Sequence, residues 1–139
     1  YLNTERSNPE KEFDTLLNTN ASKIDWWWKN GENKQDYFGV KYEYQNSIYT
    51  FYPDYLVKLA GGSLGFFEVK DSGDRDGKTY TKAKAEALQK YIANQSNKKL
   101  FGGIVIERNH AWLINDNKTF DWEKCERGNW DEWGVLKLE

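Results

Sequence analysis

Asp54, Glu68 and Lys70 are the residues of this chain whose types and spacing could do chemistry. They stand in two short segments, YPDYLV at 52–57 and FFEVK at 66–70, with the two acids fourteen positions apart. Side chains alternate faces along a strand, so Glu68 and Lys70 point the same way. If the strand carrying Asp54 pairs beside theirs, two carboxylates and an ammonium converge on one spot. Oxygen ligands of that kind suit a hard divalent cation such as Mg²⁺, with Mn²⁺ as a substitute. The reaction such a trio serves is metal-assisted hydrolysis of a phosphodiester, with the lysine orienting water or stabilising charge.

Each of the three also has a plainer reading. An aspartate after a proline can be a solvated strand end, and Pro53 itself marks an edge or a bulge. Glu68 and Lys70 can be the wet face of a strand, engaged in a cross-strand ion pair. Two features of the pattern speak for a site. Leu64 and Phe66 share the face of Glu68, so the strand turns from apolar to charged along its length, as it would where a core ends at a polar pocket. Asp54 stands among Tyr52, Tyr55 and Leu56, and burying an unpartnered carboxylate there is unfavourable.

The elements that must position these residues can be read along the chain. Residues 7–17 predict a helix, with Ser7 or Asn8 as its cap, Pro9 in the first turn and Phe13, Leu16 and Leu17 as an apolar stripe. Strands are expected at 24–28, 37–44, 48–59 and 64–70, separated by turns at 31–36, 45–47 and 61–63. A polar loop over 71–78 precedes a helix over 79–93, and two further strands at 100–106 and 111–114 flank a turn at Asn109. The tail from Thr119 carries Trp122, Trp130 and Trp133 and has no clear period. The order α-β-β-β-β-α-β-β predicts an α/β fold, a central mixed β-sheet flanked by helices.

Taken in order, PEKEF, WWWKN, YPDYLV, FFEVKD and TKAKAEALQKYI, from Pro9 to Ile92, resemble the PD-(D/E)XK nuclease superfamily. The chain looks most like the endonuclease domain of type III restriction enzymes and related helicase-linked nucleases. The resemblance implies a restriction-endonuclease-like core and Mg²⁺-dependent cleavage of double-stranded DNA. It implies Asp54 and Glu68 as metal ligands, the backbone carbonyl of Val69 completing the protein's share, and Lys70 serving the water. Glu10 matches the acid that the first helix often supplies, and it shares a helical line with Phe13 and Leu17. Its other readings are helix-dipole stabilisation and a capping box with Ser7. Lys84, and after it Lys82, would hold phosphate or assist the site, or else line a solvated helix face. The Gln-x-x-x-Tyr pattern of some relatives is absent, since Ala93 follows Gln89 at that spacing. The implied partners are the helicase/ATPase portion of the same polypeptide or complex and a methyltransferase subunit.

Composition bounds these readings. The 139 residues suit one nuclease domain over 1–139, and a chain without methionine that starts at Tyr1 reads as excised from a larger protein. A mean hydropathy of -0.94 with 30% charged residues, no long apolar run and a single cysteine fit a cytoplasmic protein without a membrane partner. The net charge of -2 is a weak vote against a generic basic DNA binder. One histidine, His110, and one cysteine, Cys125, leave no multi-histidine zinc site and no Cys–His nucleophile arrangement. Two other functions compete: a catalytically inactive nuclease-like domain that binds DNA or a partner, and an aromatic-rich carbohydrate-binding module. The latter would use the 7 Trp and 9 Tyr but leaves the acidic pair without a role.

Overall fold

The computed structural model describes residues 8–30, 38–71 and 78–139. Its elements in chain order are α1 (Asn8–Thr19), β1 (Ile24–Lys29), β2 (Val40–Tyr44), β3 (Ser47–Phe51), β4 (Tyr55–Leu59), β5 (Leu64–Val69), α2 (Lys78–Asn94), β6 (Leu100–Arg108), β7 (Ala111–Asn115), α3 (Trp122–Glu126) and β8 (Gly134–Val135). A six-stranded sheet runs β1-β4-β5-β6-β7-β8, and β2 and β3 form a separate hairpin. Only β5 and β6, joined through α2, are parallel; the other neighbours are antiparallel, so the sheet is mixed. The α/β architecture expected from the pattern is therefore present.

Alternation along the strands sorts the two faces. Tyr55, Val57 and Leu59 of β4, with Phe67 and Val69 of β5, meet Phe13 and Leu17 of α1. Leu56 and Phe66 point the other way, toward Leu88 of α2 and Val40 and Phe51 of the hairpin. On that second face Ile104 and Ile106 pack with Ala85, Phe120, Trp122 and Cys125. β4 and β5 are thus covered on both sides, which explains why they read as nearly continuous apolar runs. At Gly102 and Gly103 of β6 any Cβ would collide with the backbone of Phe66 or Asn115, so glycine lets the neighbouring backbones close in.

The structure corrects three expectations. The single strand over 48–59 is two strands in two different sheets, broken at Tyr52-Pro53-Asp54. Proline has no N–H for a ladder and restricts the residue before it, so the chain leaves the hairpin there and enters the main sheet. Among the described residues five strands, not four, therefore precede α2. The tail from Thr119 supplies α3 and the two-residue edge strand β8. The turn expected at 45–47 is a two-residue turn with Gln45 and Asn46 both at positive φ, the geometry that closes tight hairpins. Ser7, the whole of the expected turn at 31–36 and most of the expected loop at 71–78 lie outside the described residues. Among the described residues no helix is long and apolar enough to cross a membrane.

Candidate active site

Asp54 precedes β4 directly, and Tyr55 opens that strand opposite Phe67 of β5. This register carries Asp54 to the level of Glu68, two residues before the ladder of β5 gives way to Lys70. Three groups hold Asp54. Its carbonyl accepts from the Asn30 N–H at 2.8 Å, its Oδ2 accepts from the Val69 N–H at 2.9 Å, and its Oδ1 lies 3.3 Å from Lys29 Nζ. An aspartate outside the sheet ladder is thus fixed by donors from both neighbouring strands.

Glu68 is buried, and its parity with Phe66 turns it to the α2 face. Its Oε2 faces Lys70 Nζ at 3.5 Å, while Oε1 is buried with no hydrogen-bond donor facing it among the described residues. Burial, and then the neighbouring Asp54 charge, push the Glu68 carboxyl well above its ordinary range, against the pull of Lys70 and Lys84. Burial also raises Asp54, with Glu10 adding to it, while Lys29, the Val69 N–H and Glu68 act in the opposite direction. The two carboxyl groups lie within hydrogen-bonding range of each other. Two acids crowded in this way cannot both ionise freely without a cation.

Glu10 reaches the site from α1 through an intermediary. Its Oε2 lies 2.5 Å from Lys29 Nζ, so one ammonium bridges Glu10 and Asp54. The Tyr55 hydroxyl lies 3.0 Å from the Glu10 carbonyl oxygen and also meets the Asp14 carboxylate, which sets the first turns of α1 over the mouth of β4. Lys29 also sits 5.2 Å from the Tyr55 ring centroid. Burial opposes the Lys29 charge, but Asp54 and Glu10 outweigh it and the net shift is upward.

The two helix lysines separate. Lys84 is half-buried over the Phe51 ring, and its charge is felt at Glu68. Lys82 is turned away, bonded to Glu86 Oε2 at 2.5 Å and to the Phe120 carbonyl at 3.2 Å. His110 is exposed in the β6–β7 turn, where it and Asn109 have positive φ. Val69 shows its N–H engaged by Asp54, as given above. Sequence reasoning gave Lys29 and Asn30 no place beside Asp54. Their signal was the run WWWKN, whose last two residues end an aromatic strand with a cation and an amide.

Among the described residues no three His, Cys, Asp or Glu side chains stand together in a metal-holding group, because Lys29 separates Glu10 from Asp54. The pair Asp54 and Glu68 nevertheless fits a hard divalent ion: two adjacent carboxylates, one with a buried oxygen lacking a donor. Compared with protein-family models, curated proteins and solved structures, the chain matches none.

Proposed function

We propose that this chain is a divalent-metal-dependent endonuclease domain that hydrolyses DNA phosphodiester bonds. The observation that carries the reading is the buried, donorless Glu68 Oε1 beside Asp54, with Lys70 Nζ on the same carboxyl group. Residues held so tightly at the end of a sheet are pre-organised for a ligand that supplies positive charge. Mg²⁺ bound there would polarise the scissile phosphate and activate water. Asp54 and Glu68 would hold it, with the Val69 carbonyl as a third oxygen.

The remaining steps belong to the chain's own side chains. Lys70, about one-fifth exposed, is close enough to Glu68 and open enough to solvent to orient the attacking water and stabilise negative charge developing on the phosphate. Lys84 adds a second ammonium on the α2 side for a phosphate oxygen. Tyr80, one helical turn before Lys84, joins Tyr44 and Tyr49 in a partly exposed aromatic cluster on which bases or sugars could stack. The substrate in this reading is double-stranded DNA. The motif resemblance adds a helicase/ATPase portion and a methyltransferase subunit as the working assembly.

A second reading keeps the fold and replaces cleavage by binding of DNA or a partner. The observation in its favour is the Glu10–Lys29 pair, which engages a third acid internally. Incubation with supercoiled plasmid in millimolar Mg²⁺ separates the two. Nicked and linear products that vanish with a chelator are expected. A pure wild-type protein that binds the plasmid but leaves it intact with Mg²⁺ and with Mn²⁺ would favour the second reading.

A further inference from the structure

We infer that Lys29 is a positioning residue for Asp54 and that Glu10 acts through Lys29 rather than on metal or substrate. The inference rests on the reading of Asp54 and Glu68 as metal ligands. Asp54 lies outside the β4 ladder, so regular strand pairing does not fix its side chain. Its rotamer is set by two donors on opposite oxygens: the Val69 N–H on Oδ2 and Lys29 Nζ on Oδ1.

Lys29 is in turn fixed from several sides. Its backbone pairs with Tyr55 in the β1–β4 ladder, its ammonium meets Glu10, and the Tyr55 ring lies beneath it. The Tyr55 hydroxyl holds the carbonyl of Glu10, so the same residue anchors both ends of the Glu10–Lys29 pair. Asn30, next in the chain, bonds to the Asp54 carbonyl and also closes onto Phe38 through its side chain. The result is a series, Glu10 to Lys29 to Asp54, in which each group orients the next.

A carboxylate oxygen has two lone pairs, so a donor on each oxygen still leaves capacity for a cation. Glu10 differs in its place: the Lys29 ammonium stands between it and Asp54, so Glu10 reaches Asp54 through that ammonium. Its geometry suits support of the ligand. Partners that orient a ligating group are worth ten- to a hundredfold in metal affinity.

The test is calorimetric titration of Mg²⁺, without DNA, into the wild type, Lys29→Met, Lys29→Arg, Glu10→Gln and the Lys29→Met/Glu10→Gln double variant, each checked by circular dichroism. Lys29→Met should weaken binding about ten- to a hundredfold. Glu10→Gln should weaken it less, Lys29→Arg should retain more affinity than Lys29→Met, and the double variant should bind no more weakly than Lys29→Met. Should Lys29→Met not fold, Glu10→Gln and Lys29→Arg carry the test by the same ordering against wild type. Tighter or unchanged Mg²⁺ binding by Lys29→Met would make the ammonium a competitor and overturn the inference, as would full additivity in the double variant. A wild type that binds no divalent ion would instead bring down the metal-site reading itself.

Discussion

The mouth of β4 and β5 and the segment after Asn115 are built on opposite physics. At the mouth, Asp54 and Glu68 are neighbours and Glu10 stands across Lys29 from Asp54, while Lys29, Lys70 and Lys84 offset their charge without satisfying Glu68 Oε1. In the C-terminal segment, Phe120, Trp122, Trp130 and Trp133 pack with ring centroids 5.2–6.0 Å apart, and the Trp133 indole donates to the buried Cys125 Sγ. There Glu86 accepts from the Phe120 N–H and from Lys82, and Asp121 caps α3, although Asn115 Nδ2 at the head of the segment is buried without a partner among the described residues. In the proposed reading the first region holds polar groups for a ligand, whereas the second serves the stability of the fold. Activity and stability should therefore come apart on mutation.

The sharpest break is expected at Lys70. Lys70→Ala should lower plasmid cleavage about a hundred- to ten-thousandfold while Mg²⁺ titration and the melting curve stay near wild type. Asp54→Ala should lose Mg²⁺ binding and cleavage together. Wild-type cutting by Lys70→Ala would return that lysine to a solvated strand face.

These residues were legible because strand parity alone puts Glu68 and Lys70 on one face, and helical spacing alone turns Glu10 inward. Lys29 was not legible. Its meeting with Asp54, twenty-five positions away, depends on β1 pairing with β4 across an intervening hairpin. Local patterning does not carry that pairing, and it ran straight through Pro53, where residues 48–59 look like one strand. Lys82 and Lys84 are both plausible on a helix wheel, and only the packing of Phe120 shows why Lys82 is spent on structure. The tail was unreadable for a different reason. Its aromatics pack on Ile104 and Ile106 from short, irregular pieces that have no period.

The opposite dissociation is expected in the aromatic segment. Trp122→Ala removes a buried indole and should destabilise the domain by about 3–5 kcal/mol in urea unfolding. Cleavage per folded molecule, measured well below the transition, should be unchanged. A variant of ordinary stability would mean that the segment is not part of the cooperative unit.

A smaller effect of opposite sign is expected at Glu68. Its carboxyl holds a proton more tightly in the folded chain than in the unfolded one, so between the unfolded and folded values the folded state carries the extra proton. Stability in a chelator should therefore fall as pH rises above the ordinary glutamate value of about 4.3, and keep falling until Glu68 ionises in the folded state too. Glu68→Gln should flatten that slope and raise the neutral-pH stability by about 1 kcal/mol, a shift of roughly 2–8 °C. A melting temperature that climbs with pH in the chelator would reverse the sign and the electrostatic account with it. Trp26→Thr, on the exposed side of the edge strand β1, should move stability by no more than about 0.5 kcal/mol.

The hydrogen bond from the Asn30 N–H to the Asp54 carbonyl has a consequence for chain length. It joins the two ends of the stretch of chain that carries the separate β2–β3 hairpin. With those ends already held together, residues added at the Gln45–Asn46 tip lengthen a loop whose closure is set elsewhere. Each doubling of such a loop adds only about 0.6 kcal/mol of entropy. Removing the hairpin is another matter, since Val40 and Phe51 cover Phe66 and Leu88. The hairpin is thus a place where the chain can grow new surface beside its acids, and one where it cannot easily be trimmed.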